Sequence, residues 1–262
     1  MRHQQALPKH LRPVVELSHI GQVLADKMGI PLTQITESEV HRLATLDKHL
    51  TGFVRGQDHA VEAVVNSIRR NRLSMVEQNK PIASFLFLWP SGVGKTFLAK
   101  LLAKEYFGDE KSLIRVDMSE FMEKYSVSKL IGSAPWYVGY EEGGILTEQV
   151  RRKPYSVVLF DEIEKASPDV LNVMLQIMDE GHLKDNKGRW IDFKNTIIIM
   201  TSNIGSEHFG KKIAQIWFAN ADNDKIYDAK QFDIIEAKVL EDTKERLAPE
   251  LINRLNSMIV FR

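Results

Sequence analysis

Residues 89–96 read Trp89-Pro90-Ser91-Gly92-Val93-Gly94-Lys95-Thr96, directly after the apolar run Phe85–Leu88. Apart from its first position this is the spacing G-x-x-x-x-G-K-[ST], and the chemistry it serves is phosphate binding. Glycines let successive backbone N–H groups curl around an anion, and the start of the following helix adds partial positive charge. Lys95 then reaches the outer phosphate oxygens and the Thr96 hydroxyl ligates Mg²⁺. A loop of small residues has a similar composition without that role, so a second element is needed. Val157-Val158-Leu159-Phe160-Asp161-Glu162 supplies it, an apolar run ending in two acids about 65 residues downstream. Asp161 is placed to hold Mg²⁺ through water, and Glu162 to orient and deprotonate a water attacking a terminal phosphate. Taken alone, such an ending also describes a solvated strand edge. A further apolar run, Thr196–Met200, leads into Thr201-Ser202-Asn203, where the Asn203 amide can polarise the same water. Taken by itself, an asparagine in that place reads as a helix cap or turn residue.

The elements that must carry these residues are short and apolar. Phe85–Leu88, Leu113–Val116, Val157–Phe160, Thr196–Met200 and Met258–Phe261 are continuous apolar runs, separated by stretches long enough for helices. Runs without alternation mark strands covered on both faces, hence a parallel sheet with crossover helices. The expected fold is α/β, a five-stranded parallel sheet with helices on both faces. Thr33–Leu50 carries Val40, Leu43, Leu46 and Leu50 on one helical face, and Gly52 breaks that pattern. Gln57–Leu73 repeats it with Val61, Val64, Val65 and Ile68, and Arg69, Arg70 and Arg72 sit near the C-terminal end where cations suit the helix dipole. Ser167 followed by Pro168 reads as an N-cap and first helical residue. Residues 205–230 read as a long polar surface loop.

Composition narrows the function classes. Thirty-five Lys+Arg balance thirty-five Asp+Glu, which argues against a chain that coats nucleic acid or an anionic membrane. There is no cysteine, so disulfides, thiol catalysis and zinc–thiolate sites are excluded. No apolar stretch approaches a membrane span, and the first thirty residues, with Pro8 and Pro13, lack the apolar core of a signal peptide. The expected setting is the cytoplasm.

Several segments in one order then carry a specific likeness: GIPLTQIT at 29–36, GQDHAVEAV at 56–64, YVGYEEGG at 137–144, KPYSVVLFDEIEKA at 153–166, TSNIGS at 201–206 and PELINR at 249–254. With the phosphate loop, these make the chain resemble the second AAA+ module of the Clp heat-shock unfoldases, the branch containing ClpB and ClpC. The resemblance implies a P-loop NTPase of AAA+ type, ATP and Mg²⁺ as cofactors, and ATP hydrolysis coupled to threading of unfolded proteins through a hexameric homo-oligomeric ring. It implies that Asn203 is sensor 1 and that Arg254 is the arginine finger acting on a neighbouring subunit. Tyr137, with Val138 and Gly139, matches the pore loop that grips a polypeptide, and Val54 and Arg55 match the adenine pocket, where Arg55 replaces an aliphatic residue. Ile216, Trp217 and Phe218 match a tripeptide that docks a ClpP-type peptidase, which favours a ClpC-like unfoldase over a ClpB-like disaggregase. Without the resemblance, Tyr137 is a surface aromatic and Arg254 a cation at a helix C-terminus. A nucleic-acid-directed AAA+ machine is the further alternative; zero net charge and an acidic YVGYEEGG loop argue against it and against a nucleic-acid partner.

Two departures stand out. The family's module continues into a small helical lid, so the resemblance implies that residues 1–50 are the tail of a preceding module and linker, that 51–262 are the AAA+ large subdomain, and that both ends are cuts in a longer two-module ATPase. Secondly, Trp89, Trp136 and Trp217 stand where the family carries glycine. An indole is ill suited to a tight phosphate turn, and the sharper expectation is that these are UGA codons which the source lineage reads as glycine. A non-hydrolysing scaffold is the reading that takes Trp89 literally; retention of Lys95, Thr96, Asp161, Glu162, Asn203 and Arg254 argues against it.

Overall fold

The computed structural model describes residues 38–54, 56–73, 79–88, 92, 94–123, 125–133, 141, 143–204 and 229–261. Among the described residues, two helices come first, α1 (Ser38–Phe53) and α2 (Asp58–Leu73), followed by β1 (Ala83–Leu88) and α3 (Lys95–Phe107). Then come β2 (Leu113–Asp117), the short α4 (Ser126–Ile131), α5 (Ile145–Arg152), β3 (Ser156–Asp161) and α6 (Pro168–Glu180). A hairpin of β4 (His182–Lys184) and β5 (Trp190–Asp192) leads into β6 (Thr196–Ser202), then α7 (Ala229–Arg246), α8 (Pro249–Ile252) and β7 (Ser257–Val260).

The five apolar runs form one sheet in the order β2-β3-β6-β1-β7, with every pair parallel. β1 and β6 are buried along their whole length, as is β3 up to Phe160, so both faces of the sheet centre are covered. This is why those strands show no alternation in sequence. β2, at one edge, does alternate: Ile114 and Val116 are buried while Arg115 is exposed. Covering helices bury a matching stripe, Leu98, Ala99, Leu102, Ala103, Tyr106 and Phe107 on α3, and Val61, Val64, Val65 and Ile68 on α2. Phe87 meets Phe261 beyond the end of β7 with ring centroids 5.0 Å apart.

Several expectations are corrected. Gly52 does not end the first helix, which runs on to Phe53 and places Leu43, Leu46 and Leu50 in the same core as the sheet. Residues 50 and 51 are consecutive residues of α1. Arg69 of α2 locks that helix down, donating from Nε to the Leu43 carbonyl at 2.7 Å and from Nη2 to Asp47 Oδ1 at 3.0 Å. Ser167 occupies the N-cap position before Pro168 but makes no side-chain cap bond; its carbonyl accepts from Leu171 N–H at 3.1 Å instead. The β4–β5 hairpin and α7 were not anticipated. The hairpin strands have three residues each, too short for a period-2 signal, and of the loop expected at 205–230 only its last two residues are described, inside α7. Among the described residues, no helix is long and apolar enough to cross a membrane.

Candidate active site

In an open parallel sheet, the crevice beyond the carboxyl ends of the strands is where ligands bind. The strand register aligns those ends: Leu88 of β1 pairs with Ser202 of β6, and Asp117 of β2 with Asp161 of β3. Lys95, Asp161, Glu162 and Asn203 all emerge there.

Lys95 opens α3 immediately after Gly94, whose φ of 103° requires glycine; Gly92 is likewise at φ 94°. Only 8 % of Lys95 is exposed. Its Nζ donates to the Ser202 carbonyl at 3.0 Å and to Asn203 Oδ1 at 2.9 Å. Burial pushes its ammonium below the usual lysine range, while the negative charges of Glu164, Asp161 and Glu162 act in the opposite direction. The same Asn203 donates from Nδ2 to Glu162 Oε1 at 3.2 Å, and its backbone N–H donates to Glu164 Oε1 at 3.0 Å. Asn203 thus bridges the lysine and the acid. Thr96 is half-buried one position on.

Glu162 has φ 57°, the one non-glycine residue with positive φ among the described residues. A left-handed backbone costs a side-chain-bearing residue about 1–2 kcal/mol. Its N–H donates to Thr201 Oγ1 at 3.1 Å, and Lys165 Nζ lies 2.6 Å from Glu162 Oε2. That bond to Glu162 raises the Lys165 ammonium above the ordinary lysine range. Asp161 is engaged at both oxygens: Thr201 Oγ1 donates to Oδ1, while Arg115 donates to Oδ2 from Nη2 at 2.6 Å and Nε at 3.1 Å.

The remaining expected residues lie apart or out of view. Val54 is buried in the core at the end of α1. Arg254, just after α8, donates to Asp179 Oδ2 of α6 at 2.6 Å and to the Glu250 carbonyl at 2.7 Å, and joins none of the bonds above. Arg55, Trp89, Pro90, Ser91, Val93, Tyr137, Val138, Gly139, Ile216, Trp217 and Phe218 lie outside the described residues. Sequence reasoning missed Arg115, Thr201, Glu164 and Lys165. A signal for Arg115 was available: a lone cation on an apolar edge strand parallel to the one that ends in Asp161.

Residues 80–258 match the family model described as AAA domain (Cdc48 subfamily). Over 250 residues, 95% of the chain, the sequence is 51% identical to the ATP-dependent Clp protease ATP-binding subunit ClpA homolog of Porphyra purpurea. The chain belongs to the Clp AAA+ family. Chaperone protein ClpC1, chloroplastic, of Arabidopsis thaliana is 52% identical over 252 residues, again 95% of the chain. The chain spans 30% of the Porphyra relative and 27% of the Arabidopsis one, less than a third of either. Among solved structures, the S. cerevisiae Hsp104-ADP complex is 43% identical with a TM-score of 0.78, over 95% of this chain and 41% of that one. A closed-state reconstruction of Hsp104 with ATPyS and FITC casein gives 43% and 0.75, over 94% and 40%. The AAA+ fold expected from the sequence, a P-loop NTPase with a five-stranded parallel sheet, is the fold found.

Proposed function

We propose that the chain is an ATP-driven protein unfoldase and translocase module of ClpC-like type. In this reading Lys95, Thr96 and Asp161 bind Mg²⁺·ATP, Glu162 is the general base and Asn203 orients the attacking water. One observation carries it: Lys95, Asn203 and Glu162 form a continuous hydrogen-bonded line at the carboxyl ends of β6 and β3. In this reading Lys95 exchanges its Ser202 and Asn203 partners for phosphate oxygens when nucleotide binds. The donors present fit Mg²⁺, a hard cation that takes one or two protein oxygens and completes its shell with phosphate and water. Asp161 offers a carboxylate and Thr96 a hydroxyl, and among the described residues no cluster of three or more His, Asp or Glu side chains competes as a metal cage. When bound, the cation neutralises charge on the transferring phosphoryl group.

Relatives support the wider reading. One is named an ATP-binding subunit of a Clp protease, and one Hsp104 structure holds ATPyS and casein. From these comes the proposal of a hexameric ring that threads unfolded protein substrates, with Arg254 completing the neighbour's site and Tyr137 on the gripping loop. A ClpP-type peptidase as partner rests on Ile216-Trp217-Phe218. The Hsp104 likeness favours a second reading, a ClpB-like disaggregase acting without a peptidase. Cytoplasmic residence belongs to the same proposal, although the Arabidopsis relative is named chloroplastic.

ATP turnover tests the centre. Glu162→Gln is expected to keep nucleotide affinity and lose about 10²–10⁴-fold in hydrolysis rate, the usual contribution of a general base. Mixing it with Arg254→Ala subunits separates a ring from isolated subunits, since only a shared site recovers turnover in the mixture. Wild-type turnover by Glu162→Gln defeats the assignment. Degradation of a folded reporter with added peptidase, against reactivation of an aggregated one without it, separates the two Clp readings.

A further inference from the structure

Thr201 is the last but one residue of β6 and only 1 % exposed. Its hydroxyl does two things at once. The oxygen accepts the backbone N–H of Glu162 at 3.1 Å, and its proton is donated to Asp161 Oδ1. A hydroxyl has one donor and two acceptor positions, so this side chain ties both acids to β6. The bond to Glu162 falls at the left-handed residue, whose backbone needs an external partner to persist. Arg115 approaches from the opposite side. β2 and β6 flank β3, so Arg115 takes Asp161 Oδ2 from the β2 side while Thr201 takes Oδ1 from the β6 side. The carboxylate plane is therefore fixed by two partners on two different strands.

We infer that Thr201 and Arg115 are positioning residues that hold the Asp161 carboxylate ready for the nucleotide-bound cation, with Thr201 also holding Glu162 in its left-handed turn. The inference deepens the reading of Asp161 as a cation holder and rests on it. Its physical basis is that outer partners of a ligating carboxylate fix its orientation, and their loss costs 10–100-fold in metal affinity. Oδ2 already accepts two N–H bonds from Arg115, whereas Oδ1 accepts only the Thr201 hydroxyl and keeps lone-pair capacity for a further partner, so a cation can be met at Oδ1 without breaking either contact. Thr201 is also two residues from Asn203, which bonds both Lys95 and Glu162. The end of β6 thus sets the lysine, the acid pair and the amide from one rigid strand.

The experiment measures ADP affinity by calorimetry with Mg²⁺ and with EDTA, on the wild-type protein and on Thr201→Val, Thr201→Ser and Arg115→Met. Valine keeps the shape and removes the hydroxyl. Thr201→Val is expected to reduce the Mg²⁺-dependent gain in ADP affinity roughly 10–100-fold, to leave affinity in EDTA unchanged, and to be rescued by Thr201→Ser. Arg115→Met, at an exposed edge, tests the same carboxylate without touching the core and is expected to lower the same gain. Equal loss in Mg²⁺ and in EDTA shows a merely structural role and overturns the inference, as does a wild-type gain in both variants. Asp161→Asn is the control for the underlying reading. If it too leaves the Mg²⁺-dependent gain intact, the cation assignment fails rather than the positioning one.

Discussion

Asn186 at the tip of the β4–β5 hairpin donates from Nδ2 to the carbonyl of Ser133 at 2.7 Å, and its backbone N–H donates to Ile131 at 3.2 Å. Between those two partners lies Gly132, at φ 104° and ψ 150°, a conformation open to glycine alone. A Cβ at Gly132 would also collide with the Asn186 side chain. Two separate costs thus meet at one position. Gly132→Ala is expected to destabilise by about 2–4 kcal/mol, from backbone strain plus overpacking. Asn186→Ala is expected to cost about 1 kcal/mol, the net worth of one hydrogen bond. The double variant is expected to cost less than the sum, because removing the amide removes the collision and leaves only the strain. Urea unfolding of all four proteins checks this; strict additivity would show that the side chain does not crowd Gly132.

The same hairpin makes an acid-sensitive contact. Arg189 donates to Asp185 Oδ2 at 2.7 Å and also reaches Glu148 on α5, while Arg151 donates to Glu148 Oε2 at 2.8 Å. Bonds from Arg151 and Arg189 lower the Glu148 carboxyl from 4.5 to about 2. A carboxyl depressed by folding contributes stability that is complete above its unfolded value and lost as it becomes protonated. The window is therefore from about pH 4.5 down to about 2. Glu148→Gln is expected to flatten the fall in urea midpoint between pH 6 and pH 3.5 relative to wild type. Asp117, lowered by its bonds from Ser119, sustains part of the fall in both proteins. An identical fall in both would remove Glu148 from the account.

Much of the architecture could be read from residue type alone. Five apolar runs became five parallel strands, because a strand buried on both faces leaves a continuous signature and competing helices need longer periodic stretches. The convergence of Lys95, Asp161, Glu162 and Asn203 was legible because spacing and strand ends place them together. Their partners were not. Thr201 and Arg115 act through hydrogen bonds to residues about forty positions away, and nothing local in a threonine or an edge arginine records that. Gly52 misled for a related reason: a glycine costs a helix only about 1 kcal/mol, less than α1 gains by burying Leu43, Leu46 and Leu50.

Lys95 illustrates a conflict between stability and binding. Its ammonium is buried, and desolvation lowers it despite three nearby acids. Lys95→Met removes that desolvation and keeps an unbranched stem, at the loss of bonds to Ser202 and Asn203. The nucleotide-free variant is expected to melt within a few degrees of wild type, since these terms oppose each other. ATP at a hundred times its Kd stabilises a binding-competent protein by about 2.7 kcal/mol. That shift is expected in wild type and absent in Lys95→Met. A variant that still shifts with ATP would remove Lys95 from phosphate binding.

Trp89 is the sharpest test that needs only sequence. The phosphate-loop spacing is complete from Pro90 to Thr96, and its first position alone departs from glycine. The pattern calls for glycine first because a phosphate loop of this kind turns tightly there and brings an anion close to the backbone. Trp89→Gly is therefore expected to tighten ATP binding by at least tenfold, about 1.4 kcal/mol, in calorimetry at fixed Mg²⁺. The coding DNA gives an independent check, since recoded glycine requires UGA at positions 89, 136 and 217. UGG at those three codons, with no gain from Trp89→Gly, would make the tryptophans native and leave the loop able to bind phosphate without its first glycine.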